Sequence, residues 1–189
     1  MLKQREWKRL APASLTKLLT VVLVEEELNP FDRISVSAEA KMVEAKISPV
    51  DKGEALTKDD LLKLALSGSA NDIALALAEE IGHKYGANNL EDSLKIFRGL
   101  AEKKTSELGL LESSFQNPVG LDEPEHYTTA EDLVTLSEYI LQKYPRLWDF
   151  SVIPEVEAYS ETGNRYLMKN TNILLNEFPA ILGSKTGFT

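Results

Sequence analysis

Three short groupings of reactive side chains follow one another along the chain: Ser14-Leu15-Thr16-Lys17, Ser69-Ala70-Asn71 and Lys185-Thr186-Gly187. A serine hydroxyl is a weak nucleophile until a neighbouring base takes its proton. The chain has two histidines, His83 and His126, neither in an evident triad, so the candidate base is a lysine. Serine and lysine three residues apart on a helix share one face, one turn apart, which puts Lys17 beside Ser14. A lysine serves as a base near neutrality only if burial or a second positive charge lowers its pKa. The apolar run around Lys17 can supply the burial and another lysine the charge. A serine at a helix start also lies where backbone N–H groups favour a developing anion.

Singly, each grouping has a plain structural reading. Ser14 and Lys17 read as a helix cap and a snorkelling lysine, 69–71 as a turn between helices, and 185–187 as a surface strand end. A serine and a lysine at this spacing occur about once by chance in a chain of this size. The weight therefore rests on the three together.

The elements that must position them can be read locally. Pro12 precedes a run that is apolar on nearly every face, predicting a buried helix from about Ser14 to Glu27, ended by Asn29-Pro30. Residues 31–53 read as loops with short strands. Thr57-Lys58-Asp59-Asp60 is a capping box opening a helix over Leu61 to Leu66, broken by Ser67-Gly68-Ser69. Asn71-Asp72 opens a second helix, Ile73 to Ile81, with Gly82 as its stop. Leu94 to Leu108 is amphipathic and ends at Gly109. Thr129-Ala130-Glu131-Asp132 is another capping box, for a helix from Ala130 to about Gln142. Val156 and Ala158, then Tyr166 and Met168, flank Glu161-Thr162-Gly163-Asn164 as a β-hairpin. Ile181 to Thr189 reads as a final strand. Helices fill the middle and strands lie near the ends, which predicts an α+β fold with helices packed on an antiparallel sheet.

Composition narrows the chemistry. With 189 residues the chain reads as one domain, 1–189,. A formal net charge of -9 argues against nucleic acid as the main partner,. The absence of cysteine excludes disulfides, zinc–thiolate sites, iron–sulfur clusters and a cysteine nucleophile, and two histidines exclude a multi-histidine metal site,. No metal or cofactor is expected. The apolar stretch Leu18 to Val24, counting Thr20, is far short of the ~20 residues of a membrane span,. The basic start lacks the apolar core of a signal peptide, so neither export signal nor membrane anchor is visible. Asp122, Glu123, Glu125 and His126 read as a solvated acidic loop rather than a cation site. Glu25-Glu26-Glu27 reads as a solvated helix end with no assigned role, although its charge opposes the helix dipole.

Together the three groupings resemble the signature set of penicillin-binding proteins and serine β-lactamases. The residues around them sharpen the likeness: Pro12-Ala13-Ser14-Leu15-Thr16-Lys17; Gly53-Glu54 leading to Leu61-Leu62; Ser69-Ala70-Asn71-Asp72; Phe115-x-Asn117-Pro118-x-Gly120-Leu121; His126-Tyr127-Thr128-Thr129-Ala130; and Gly183-Ser184-Lys185-Thr186-Gly187-Phe188-Thr189. From about Leu10 to Thr189 the chain resembles the low-molecular-mass D-alanyl-D-alanine carboxypeptidases, serine peptidase family S11. The resemblance implies a β-lactamase/penicillin-binding-protein-like fold. It implies that Ser14 is the acylated nucleophile and Lys17 its base. Ser69 would relay a proton to the leaving amine, and Asn71 would orient Lys17 and the substrate backbone. Lys185 would add positive potential, and Thr186 would bind the substrate carboxylate. Gly187 and Phe188 would line the substrate strand, with the backbone N–H groups of Ser14 and Phe188 as the oxyanion hole. The implied substrate is a peptidoglycan stem peptide ending in D-Ala-D-Ala, with β-lactams as covalent inhibitors and an extracytoplasmic location.

The chain also departs from that family pattern. Two strands usually precede the first motif, whereas thirteen residues precede Ser14 here. Further strands usually follow the third motif, whereas two residues follow Gly187. The expectation is a catalytic domain truncated at both ends. A D,D-endopeptidase uses the same residues. A class A β-lactamase needs a further glutamate in an E-x-x-L-N segment, absent between Ser69 and Lys185. A reading of another class is a non-catalytic remnant that binds muropeptide or a partner.

Overall fold

The computed structural model describes residues 5–45 and 47–188. Residues 1–4 of the basic start and the expected strand end at Thr189 lie outside the described residues. The chain enters the core through a 3-10 turn, Ala13–Thr16, and continues into helix α1, Lys17–Glu27. The single helix expected from Ser14 is therefore split. Ala13 stands at φ 47°, outside the right-handed region, so the regular helical ladder begins only beyond it.

In α1, Leu18, Leu19 and Val21 through Val24 are all buried. They meet α2 (Lys58–Leu66), α3 (Asn71–Lys84), α4 (Leu90–Leu108) and α5 (Ala130–Lys143). A helix surrounded on all sides must be apolar on all sides, and each large side chain so buried contributes about 1.5–3 kcal/mol.

The helix starts follow their local signals. Thr57 Oγ1 accepts the Asp60 N–H at 3.1 Å, and Thr129 Oγ1 accepts the Asp132 N–H at 3.1 Å. Asn89 Oδ1 accepts the Asp92 N–H at 2.9 Å, so α4 begins at Leu90, a turn before the expected Leu94. Gly109, at φ 69°, ends α4 as expected. Gly82 does not end α3, which continues to Lys84. A Cβ at position 82 would stand 2.2 Å from Ser93 Oγ; this glycine lets α4 press against α3. A short helix not anticipated from sequence, α6, spans Arg146–Ser151 after Pro145.

The strands form two small antiparallel ladders. β1 (Arg33–Ser35) pairs with β2 (Ala55–Thr57), Ile34 opposite Leu56. β3 (Glu155–Tyr159) pairs with β4 (Arg165–Lys169), Val156 opposite Met168 and Ala158 opposite Tyr166. These four apolar residues form the buried face of the expected hairpin, which packs on α2. The architecture is α+β, helices packed with small antiparallel sheets, as expected. The final strand is a correction: residues 181–188 belong to no strand. A strand needs a neighbouring ladder, and no described segment pairs with this one. Side chains hold it instead. The Ser184 N–H donates to Ser151 Oγ at 2.9 Å, and Thr186 Oγ1 lies 2.6 Å from Thr171 Oγ1.

Candidate active site

The turn Ala13–Thr16 and the first residue of α1 set Ser14 and Lys17 side by side, with Lys17 Nζ 2.9 Å from Ser14 Oγ. Lys17 is fully buried. Its Nζ donates to Asn71 Oδ1 at 2.7 Å and to the Val119 carbonyl at 2.8 Å. A neutral amine has two hydrogens and one lone pair. The two carbonyl acceptors take the hydrogens, which leaves the lone pair toward the Ser14 hydroxyl. The protonation state matches. Burial, followed by the nearby Lys185 charge, lowers the Lys17 pKa from its ordinary 10.5 to about 6, against a smaller opposing pull from Asp72,.

The second and third groupings meet at the same place. Ser69 sits at φ 58° between α2 and α3. Lys185 Nζ donates to Ser69 Oγ at 2.8 Å and to the Thr186 carbonyl at 2.9 Å. The exit of β4 brings this segment in: the Thr171 N–H donates to the Ser67 carbonyl at 2.9 Å, and Thr171 then meets Thr186. Ser14, Ser69, Asn71, Thr186, Gly187 and Phe188 line one cavity of about 450 Å³. Phe188 lines it and is itself 95 % exposed. Lys17 and Lys185 lie behind its wall, bonded to lining residues. Three non-glycine residues in the left-handed region, Ala13, Ala45 and Ser69, adjoin or belong to this cluster, a form of backbone strain that concentrates at functional sites.

A third wall of the site comes from residues 117–121, which the three groupings do not include. Asn117 Oδ1 accepts the N–H groups of Val119, Gly120 and Leu121 at 3.2, 2.7 and 3.1 Å, closing the turn that presents the Val119 carbonyl to Lys17. Gly120, at φ 94°, lies so close to the first turn that a Cβ would stand 1.9 Å from the Ala13 carbonyl oxygen. The sequence signal was the Asn117-Pro118-x-Gly120 turn; what it could not show was the segment it faces.

On the other flank, Asp72 is fully buried. It accepts the Ser48 N–H at 2.8 Å, the Ser48 hydroxyl at 2.7 Å and Lys41 Nζ at 2.7 Å. Asn71 Nδ2 donates to the Glu44 carbonyl at 2.8 Å. These bonds fasten residues 41–45 and Ser48, and Ala45 lines the cavity.

Two bland expectations need correction. His126 is buried rather than part of a solvated loop, although Asp122, Glu123 and Glu125 are exposed as expected. Glu25-Glu26-Glu27 is not a solvated helix end. Glu25 binds Lys58 of α2 and Arg146 of α6, Glu26 binds Lys104 of α4 and Tyr139 of α5, and Glu27 binds Lys84 of α3. Three successive carboxylates thus tie α1 to five other helices. That pairing offsets the unfavourable dipole position.

Residues 1–189 match the family model described as D-alanyl-D-alanine carboxypeptidase. The chain belongs to this peptidase family, S11. It is 33 % identical over 187 residues to D-alanyl-D-alanine carboxypeptidase DacF of Bacillus subtilis, covering 96 % of this chain and 46 % of that protein. It is 31 % identical over 181 residues to a D-alanyl-D-alanine endopeptidase of Pseudomonas aeruginosa, covering 94 % and 55 %. The chain spans about half the length of the curated relatives it matches. Among solved structures, a D-alanyl-D-alanine carboxypeptidase of Mycobacterium tuberculosis superposes with a TM-score of 0.84 at 26 % identity, covering 100 % of this chain and 68 % of that one. The Streptomyces K15 DD-transpeptidase shares the fold with a TM-score of 0.87 at 23 % identity, covering 100 % and 74 %. Among the described residues, no helix is long and apolar enough to cross a membrane.

Proposed function

We propose that this S11 chain carries the catalytic region of a serine-type D-Ala-D-Ala carboxypeptidase that shortens peptidoglycan stem peptides and is trapped by β-lactams. The observation that carries the reading is the Lys17 amine: buried, lowered toward neutrality and 2.9 Å from the Ser14 hydroxyl.

In the proposed reaction Lys17 takes the Ser14 proton as Oγ bonds to the carbonyl carbon of the penultimate D-Ala. We assign the backbone N–H groups of Ser14 and Phe188 to the resulting oxyanion. Asn71 orients Lys17 through the 2.7 Å bond to its side-chain oxygen. Collapse breaks the peptide C–N bond. The leaving amine receives the proton through Ser69, whose hydroxyl is held by Lys185. The terminal D-Ala departs with its carboxylate held by Thr186 and the Lys185 charge, along the wall formed by Gly187. Water then attacks the ester. Lys17 takes its proton and returns one to Ser14, releasing the shortened peptide. These steps use the chain's own side chains and water and require no cofactor. A β-lactam would undergo the same attack, but its ring nitrogen stays tethered after the C–N bond opens, so deacylation is slow. The substrate places the activity outside the cytoplasm, in the cell envelope.

Intact mass after incubation with a penicillin tests this reading. The expected result is one drug mass added to the parent chain and none to Ser14→Ala. A parent chain that gains no adduct, or a Ser14→Ala variant that does, refutes it. Release of free D-Ala from a peptide ending in D-Ala-D-Ala, without cleavage of a D-amino-acid cross-link, separates the carboxypeptidase from an endopeptidase.

A further inference from the structure

The buried ring of His126 lies between the turn that carries the nucleophile and the turn that faces it. Its Nδ1 is 3.2 Å from the Gln116 backbone nitrogen, which can only donate, and 3.3 Å from Asn117 Nδ2. Nδ1 is therefore the acceptor, and the Nε2–H donates to Thr16 Oγ1 at 2.8 Å,. Thr16 is itself buried between Ser14 and Lys17. Hydrogen bonds thus run from Thr16 through His126 to the Gln116 N–H, and from the next residue, Asn117, through its side-chain oxygen to the backbone of residues 119–121 and through its side-chain nitrogen to the Leu121 carbonyl and Glu123. The same turn presents the Val119 carbonyl to Lys17. Thr20 adds a parallel tie, its hydroxyl donating to the Pro118 carbonyl at 2.7 Å.

We infer that Asn117 and His126 are positioning residues for Lys17: they clamp the 117–121 turn onto the first turn, hold the Val119 carbonyl on the amine and exclude water from it. This rests on the reading of Ser14 and Lys17 as nucleophile and base. The charged and titratable groups around the amine are Lys185 from the C-terminal segment and Asp72 from α3, itself paired with Lys41. Around the brace they are Glu123, which accepts from Asn117 Nδ2 at 2.7 Å, and Asp122. Burial lowers the His126 pKa, opposed by Glu123 and then Asp122, which favours the neutral ring that the bond from Gln116 requires. Burial is also the largest cause of the Lys17 shift. Loosening the 117–121 wall admits water and returns the amine toward an ordinary lysine, so the base is protonated over more of the neutral range.

The test uses the full chain with Asn117→Ala and His126→Phe, from about pH 5 to pH 10. Acylation by a penicillin is followed by mass, and the Lys17 side chain is titrated by NMR at its Cε. The expected result is an acid limb and a Lys17 midpoint about one pH unit higher or more, hence about tenfold slower acylation on that limb. Rates recover at alkaline pH and every chain still ends acylated. His126→Gln, which retains a polar group toward Thr16, should fall between parent and His126→Phe. An unmoved limb and midpoint, with loss only in the final acylated fraction, overturn the inference, since the residues would then hold the fold alone. If the parent takes no penicillin at any pH, the nucleophile–base reading fails. The Lys17 midpoint then decides the brace: higher in the variants supports it, equal to the parent overturns it. If His126→Phe does not fold, Thr16→Val removes the same link and is read the same way.

Discussion

Lys17 at the front of α1 and Lys58 behind its far end are 0 % and 1 % exposed, yet they are built for opposite ends. Lys58 Nζ lies 3.2 Å from Glu25 Oε2 and 3.2 Å from the Leu28 carbonyl. Glu25 also receives both contacts of Arg146 Nη2, at 2.6 and 2.8 Å, and the other arm of Arg146 reaches Asp59. Cations and carboxylates alternate through that cluster. Lys17 meets a hydroxyl, an amide oxygen and a backbone carbonyl, with a second cation, Lys185, nearby. A buried lysine given a carboxylate becomes a strut. The same residue given neutral acceptors gives up its proton more readily, which is the state that the proposed reaction needs.

The largest expected effect separates the two ends by chemistry. Lys17→Met should slow penicillin acylation by about 10²–10⁴-fold while the thermal melt stays cooperative and circular dichroism is unchanged. Glu25→Gln should do the reverse. It strips the carboxylate from Lys58 and should cost about 3–5 kcal/mol in denaturant unfolding, with the acylation rate constant of the folded fraction unaltered. If instead that variant moved the pH limb of acylation, the two ends would not be independent.

A third prediction concerns pH. Between about 6 and 10.5 the unfolded chain holds a proton on Lys17 that the folded chain lacks. Stability should therefore rise with pH across that window, by up to about 1.4 kcal/mol per unit from this group, and be flat below it. Unfolding of the parent and Lys17→Met compared across pH should show the slope removed in the variant; equal slopes refute the assignment. The smallest effect belongs to Glu27→Gln. Its partners Lys84 and Tyr85 lie at the surface, so the loss should stay below about 1 kcal/mol, with no change in acylation.

Legibility in the sequence followed the range of the interaction. The caps at Thr57 and Thr129, the Gly109 stop and the β3–β4 hairpin depend on residues a few positions apart, and each forms as the local pattern predicts. Asn89 with Asp92 carries the same kind of signal for α4, one turn ahead of the start that the apolar pattern predicts. Gly82 misled because its role is contact with Ser93 on another helix. The partners of Glu25, Glu26 and Glu27 lie 33 to 121 residues away, which no local pattern reveals. Within the site, the three motif groupings come together, whereas the Asn117–His126 brace and the Asp72 clasp emerge only when distant segments are apposed.

The separation of the site's parts has a consequence for the order in which the chain is made. Of these residues Ser14 and Lys17 leave the ribosome first, then Asn71, then Val119, and Lys185 after them. A nascent chain that has reached only residue 110 has neither Val119 to receive the amine nor Lys185 to repel its proton. Contacts this distant in sequence form late in folding. Lys17 therefore remains an ordinary charged lysine, and Ser14 an ordinary serine, until synthesis has passed Lys185 and its segment has docked.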